Sequence, residues 1–83
     1  METEQTKIAV VAIIVSDKNA VTRINALLHD FGEFIIGRLG LPYKEKNVNV
    51  ISVVMDAPQT VINSLSGKLG MIEGVSSKVL TTK

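Results

Sequence analysis

Short, almost continuously apolar segments mark the predicted strands of this chain. Ile8 to Val15 and Val48 to Met55 are rich in β-branched residues, and such segments are typical of strands that are covered on both faces. Phe34 to Leu41 is also apolar, but two glycines interrupt it, and Val75 to Thr82 is polar at alternate positions. Both features favour a place at the edge of a sheet. The pattern therefore predicts four strands, with the first and third in the centre.

Two stretches between these strands carry apolar residues at helical spacing. The stripe of the first consists of Val21, Ile24, Leu27, Leu28 and Phe31, and that of the second consists of Val61, Ile62, Leu65 and Leu69. The predicted boundaries are Ser16 or Asp17 as the cap and Gly32 as the stop for the first helix, and Asp56 with Pro58 and then Gly70 for the second. Both segments are predicted to be amphipathic helices.

The resulting order is strand, helix, strand, strand, helix, strand. Two right-handed crossovers then place both helices on one face of an antiparallel sheet, which is the α+β ferredoxin-like sandwich with strand order 4-1-3-2. This order puts the two most apolar strands in the middle, as their composition independently indicates. We expect a flexible polar leader over residues 1–6 and a single domain over residues 7–83.

The central strands predict self-association. Helices cover only one face of such a sheet, yet Ile8 to Val15 and Val48 to Met55 are apolar on both faces. Burying a large aliphatic side chain contributes roughly 1.5–3 kcal/mol, so several of them on an open face would strongly favour association. A chain of 83 residues is also near the size at which a single core is only just sufficient. We expect at least a dimer.

Composition excludes several classes of function. Nine basic residues against eight acidic ones give a net charge of +1, which provides no field to attract nucleic acid or an anionic membrane. The predicted central strands lack the aromatic residues with which RNA-recognition motifs stack bases. The chain has no Cys, which excludes disulfides, thiolate catalysis and metal sites with sulfur ligands. The N-terminus lacks the basic start of a signal peptide. We expect a cytoplasmic protein that neither binds nucleic acid directly nor enters a membrane.

The stretch from Asn25 to Tyr43 holds the only His and the only Tyr of the chain. His29 lies about 140° from the centre of the apolar stripe on a helical wheel, on the polar face with Asn25. It is therefore either a solvated helix residue or part of a subunit interface or pocket. Tyr43 begins a modestly cationic turn that contains Lys44 and Lys46.

Arg38 lies within an otherwise apolar edge strand, on the face predicted for Phe34 and Ile36. A guanidinium is costly in such surroundings unless a carboxylate or an anionic ligand pairs with it. It could instead reduce edge-to-edge aggregation or form a salt bridge between subunits. These alternatives remain open from the sequence.

No reaction chemistry is visible in the sequence. His29, Asp30 and Glu33 do not converge on one side of a helix, so we expect no metal site within one chain and no cofactor. The segment SGKLG lies at the end of a helix, where a phosphate loop does not occur. No Ser, His and carboxylate combine as a nucleophile, base and orienting group, and we expect a non-enzyme.

Three sequence blocks, LLH, GRLGLPY and SGKLG, occur in that order between Leu27 and Gly70. With them, nearly the whole chain after the leader resembles the small bacterial family of iron-only hydrogenase system regulators. The resemblance implies an ACT-like module, similar to the C-terminal sensing domain of the nickel-responsive repressor, that assembles as a dimer or tetramer. Nickel-responsive relatives use several His and a Cys, whereas this chain offers only His29.

Two hypotheses for function follow. The first is a regulatory module that senses a small effector or binds a partner protein at a subunit interface, with Asn25, His29, Arg38 and Tyr43 nearest the site. The alternative is a structural or assembly protein that oligomerises or docks through its apolar sheet face without a small-molecule ligand.

Overall fold

The computed structural model describes residues 5–82 and contains one four-stranded sheet and two helices. The elements are β1 (Thr6–Val15), α1 (Ala20–Asp30), β2 (Ile35–Tyr43), β3 (Val48–Pro58), α2 (Gln59–Gly70) and β4 (Val75–Thr81). All strand pairs are antiparallel, and the order across the sheet is β2-β3-β1-β4. This is the predicted order counted from the opposite edge. The predicted order of elements is confirmed, and the architecture is compatible with a ferredoxin-like fold.

Strict alternation along the central strands separates the two faces of the sheet. Every second residue of β1 from Ala9 to Val15 is buried, and β3 repeats this pattern from Ile51 to Ala57. Both helices contribute to the same core, with the buried residues Ala20, Ile24 and Leu28 from α1 and Ile62, Leu65 and Leu69 from α2. The predicted stripes are confirmed, and one face of the sheet carries the core.

The start of α1 differs from the sequence prediction. The helix begins at Ala20 and Asn19 occupies its N-cap position, so neither Ser16 nor Asp17 caps it. The carboxylate of Asp17 accepts a hydrogen bond from the Asn19 N–H at 2.9 Å, and its carbonyl accepts one from the Ala20 N–H at 2.9 Å. Asp17 therefore closes a turn in front of the helix. Its side chain bonds to the backbone of this turn and does not cap the helix.

The strand before α2 is longer than predicted. Asp56 and Ala57 lie opposite Ile8 and Lys7 of β1, so pairing with β1 continues beyond Met55. Pro58, in extended conformation, is the N-cap of α2. Hydrogen-bonded pairing with β1 therefore outweighs the preference of Asp56 for the start of a helix.

Neither Gly32 nor Gly70 acts as a left-handed cap. Phe31 caps α1 and is followed by a 3₁₀ turn at Gly32–Phe34, while Gly70 lies inside the last turn of α2. Among residues 5–82, Gly74 is the one glycine with positive φ, at 81°. Its carbonyl accepts hydrogen bonds from the backbone N–H and hydroxyl of Ser16, at 2.8 and 3.1 Å. Gly74 therefore joins the turn before β4 to the turn after β1.

The two ends of the chain are described only in part. Residues 1–4 of the predicted leader and Lys83 lie outside the described residues, and Thr6 is already part of β1, opposite Pro58. Within the described chain, no helix is long and apolar enough to cross a membrane.

Candidate functional site

The face of the sheet opposite the helices is apolar and exposed. We define the open face by these outward-facing residues of the strands: Ile8, Val10, Ala12 and Ile14 of β1, Val50, Ser52 and Val54 of β3, Leu39 and Leu41 of β2, and Leu80 of β4. Asp56 of β3 and Ser76 and Lys78 of β4 lie on the same side and give it a polar margin. Ile8 is 41% exposed and Ile14 is 49% exposed, while Leu80 at the edge reaches 73%. The sequence expectation that both sides of the central strands are apolar is met, and nothing within the described chain covers the second side.

A bulge in β2 changes the predicted orientation of Arg38. Ile35 lies opposite Met55 and Gly37 lies opposite Val54, so Ile36 is an extra residue in the pairing. Beyond the bulge, Arg38 lies opposite the buried Val53. Arg38 is therefore on the helix-covered side together with Ile35, whereas an uninterrupted alternation would have placed these two residues on opposite sides. An extra residue reverses the alternation of a strand, which explains the difference.

The bulge brings two of the predicted site residues together. A terminal nitrogen of Arg38, Nη2, donates a hydrogen bond to Oδ1 of Asn25 at 2.8 Å. Asn25 is on the exposed side of α1, so this bond bridges α1 and the edge strand β2. The cationic group is thus positioned by a neutral amide.

Two neighbouring grooves surround this bridge. The α1–β2 groove has a volume of about 210 Å³ and is lined by Val21, Asn25, Arg38, Gly40, Asn49 and Ile51. The turn groove, of about 340 Å³, is lined by Lys18, Pro42, Tyr43, Lys44, Asn47 and Asn49. Pro42 and Asn49 contribute to both grooves, which therefore adjoin. No Asp or Glu within residues 5–82 lines either one.

The remaining two predicted site residues lie apart from the bridge. Tyr43 is 45% exposed, lies opposite Val48 at the end of the sheet and lines the turn groove. His29 is exposed in the last turn of α1, four residues after Asn25, and lines neither groove. The structure thus groups Asn25 with Arg38, places Tyr43 in the adjoining groove and leaves His29 outside both.

Two groove residues, Asn49 and Lys18, were not predicted from the sequence. Asn49 alternates with Ile51 and Val53 along β3, so a polar residue on the helix-facing side of a central strand was visible in the pattern. Lys18 had no such signal, because it lies in a turn whose direction depends on Asp17.

Within the described residues, no three His, Cys, Asp or Glu side chains are grouped so that they could hold a metal ion. The features that could support binding are therefore the apolar open face and the two grooves. The open face suits contact with another apolar surface. The two grooves suit polar or anionic groups.

These features define a small α+β sandwich with a four-stranded antiparallel sheet, two helices and an exposed apolar face. The model of the TM1266-like family, described as "Iron-only hydrogenase system regulator, putative", matches residues 7–79. The chain belongs to this family.

One solved structure is similar over almost the whole chain. It is that of the uncharacterized protein TM1266 from Thermotoga maritima, with 36% sequence identity and a TM-score of 0.90, covering 95% of this chain and 100% of that one. No curated protein matches this chain.

Proposed function

We propose that this chain is a non-catalytic, ACT-like regulatory module of an iron-only hydrogenase system. It assembles as a homo-oligomer, either a dimer or a tetramer, through the open face, and it senses a small effector or binds a partner protein at a subunit interface. The observation that carries this proposal is the exposed apolar side of the two central strands.

The chemistry of the open face favours a second protein surface over water. On β1 the face includes Ile8, Val10 and Ile14. On the edge strand β2 it continues with Leu39 and Leu41. Each large aliphatic side chain that is buried there contributes roughly 1.5–3 kcal/mol. The same side chains in water make no comparable contribution, so this pattern favours association.

The projected size of the face supplies about half of the area that a stable dimer needs. Four strands about 4.8 Å apart, over about seven residues of 3.3 Å each, give on the order of 450 Å² in projection. The accessible area of a face covered with side chains exceeds its projection, and a stable interface buries about 800 Å² on each partner. A second copy of this face therefore offers a match in composition, and the relief of the side chains and contacts beyond the flat sheet must supply the rest of the area.

The position of Tyr43 links assembly to the grooves. Tyr43 lies opposite Val48, so it belongs to the same side of the sheet as Val50, and it also lines the turn groove. A ligand in this groove would contact a residue at the border of the proposed interface. Binding and assembly could then be coupled, which is the physical requirement for a sensor.

Assembly is tested with one substitution in the open face and one elsewhere. We expect the wild type to sediment as an oligomer and Ile14→Asp to sediment as a folded monomer, because the introduced carboxylate would be buried without a partner. Ser64→Asp introduces the same charge on the exposed side of α2 and should leave the oligomer intact. A monomeric wild type, or an Ile14→Asp oligomer, would contradict the proposal.

The sensing role is tested by native mass spectrometry of protein purified directly from its own cells. A mass above an integral multiple of the chain mass would support an effector or bound partner. We expect Arg38→Gln to lose a small effector while keeping the native fold by circular dichroism, and His29→Ala, at a residue that lines neither groove, to retain it. An exact multiple in the wild type, together with an intact oligomer, would favour the assembly role without a ligand.

A further inference from the structure

We propose that the α1–β2 groove, together with the adjoining turn groove, binds a small oxyanion with a short apolar body, either a carboxylate or a phosphate ester. This inference rests on the proposed function, because it names the chemical class of the effector. It is carried by the Arg38–Asn25 bridge, the charges around it and the space at Gly40.

The Arg38–Asn25 bridge orients a cation without neutralising it. A guanidinium has five N–H donors in a planar fork, and the 2.8 Å bond to Asn25 uses one of its nitrogens. The partner is an amide oxygen, so the positive charge stays available. A planar fork that is already fixed on one side suits bidentate binding of a carboxylate or phosphate.

The surroundings of Arg38 add positive charge and polar groups. Lys18 and Lys44 line the turn groove, and Asn49 contributes to both grooves. The lining described here includes no carboxylate, although the chain as a whole has eight acidic residues and a net charge of only +1. The local excess of positive charge therefore comes from how the fold arranges the residues, and it favours an anionic ligand.

Gly40 provides the space for the body of the ligand. It lies opposite the buried Ile51 and therefore on the helix side of β2, and a Cβ atom added there would meet nothing within 4 Å. Val21 and Ile51 give this space apolar walls. The α1–β2 groove, at about 210 Å³, suits the short body of a small metabolite.

The inference is tested by NMR titration of the isotope-labelled full-length protein with two separate probes, inorganic phosphate and 3-methylbutanoate. We expect saturable shifts at the amides of Asn25, Arg38 and Gly40 with at least one probe. The neutral 3-methylbutanamide should cause none, since it lacks the oxyanion. Binding of phosphate alone identifies a phosphate ester as the ligand class, and binding of the carboxylate identifies a carboxylic acid.

Three variants locate the site. Asn25→Asp keeps Arg38 in place but neutralises it, and it should weaken binding about tenfold or more, the loss expected for a charged hydrogen bond. Gly40→Val should block the apolar part of the groove. Arg23→Gln is the matched control, because it removes a positive charge from α1 at a residue that lines neither groove.

No saturable shift with either probe, or equal binding by wild type and Asn25→Asp, would overturn the inference. The oligomeric state of each sample is measured by sedimentation in the same buffer. An intact oligomer without anion binding would reject this site and leave the regulatory module standing. A monomeric wild type that binds the anion would instead reject the proposed assembly and retain the site.

Discussion

The two faces of the sheet are built from neighbouring residues but stand in different surroundings. Ile13 is fully buried beneath the helices, whereas Ile14 is 49% exposed on the open face. Val53 and Val54 of β3 show the same division, with Val53 at 0% exposure and Val54 only partly buried. Two strands of nearly uniform composition therefore have one face that the helices cover and one apolar face that nothing in the described chain covers.

This difference separates folding from association. The helix-covered face has its partners within the same chain, so its apolar residues stabilise the monomer. The open face would gain the same type of stabilisation only from another surface, and its contribution would depend on protein concentration. Substitutions at adjacent positions can therefore distinguish the two contributions.

The largest expected difference is between Val53→Asp and Val54→Asp. Val53→Asp places an unpaired carboxylate in the core, which costs several kcal/mol against a typical total stability of about 5–15 kcal/mol. We expect it to unfold the chain. Val54→Asp should leave a folded monomer, because water can reach its carboxylate once the subunits separate. Urea denaturation and sedimentation of both variants measure these outcomes.

The two valine variants also provide a control for each other, since they add the same group to the same strand. If Val53→Asp stayed folded, the assignment of Val53 to the core would be incorrect. If Val54→Asp stayed oligomeric, the proposed interface would have to exclude the centre of the open face.

A smaller difference is expected between Ile13→Val and Ile14→Val. Removing one methylene from the buried Ile13 should lower the free energy of unfolding by about 0.5–1.5 kcal/mol at every protein concentration. Ile14→Val should leave the monomer nearly unchanged and weaken the oligomer, so its effect should appear only where the wild type is assembled. Thermal denaturation over a range of concentrations tests this. The same concentration dependence in both variants would remove the distinction between the faces.

Much of the fold could be predicted from the sequence because its signals are repeated. The apolar runs and the helical stripes each extend over several residues, so errors at single positions do not change the result. The boundaries depended on single residues and were less successful. Asp17 closes a turn in place of capping α1, and Gly74, which no sequence pattern singled out, has the left-handed conformation expected of a capping glycine.

The candidate site was harder to predict because it depends on one irregularity. The stretch Asn25 to Tyr43 was identified by its unusual residues, and Asn25 and Arg38 do meet in the structure. The extra residue at Ile36 nevertheless breaks the alternation from which the face of Arg38 was predicted, and it puts Arg38 on the same side as Ile35. Gly37, which follows the extra residue, is the kind of glycine that marks a bulge inside a strand, but it was interpreted only as a sign of an edge strand. The groove at Gly40 depends on the same shift.

The smallest expected effects concern Gly37 and Gly40, which lie on opposite sides of β2. Gly37 is opposite Val54 of the open face, Gly40 is opposite the buried Ile51, and an added Cβ atom would meet nothing within 4 Å at either position. Neither residue has a positive φ. Replacing each with Ala should therefore stabilise the monomer by about 0.4–1 kcal/mol, by restricting the unfolded chain.

Assembly should distinguish the two glycine variants. If a second subunit approaches the open face closely at Gly37, Gly37→Ala will weaken the oligomer while it stabilises the monomer, and Gly40→Ala will leave assembly unchanged. Denaturation of the dilute monomer and sedimentation at higher concentration measure the two effects separately. An unchanged oligomer in Gly37→Ala would mean that the partner contacts the central strands and leaves β2 at the border of the interface. In that case the two grooves beside β2 would remain accessible in the assembled protein.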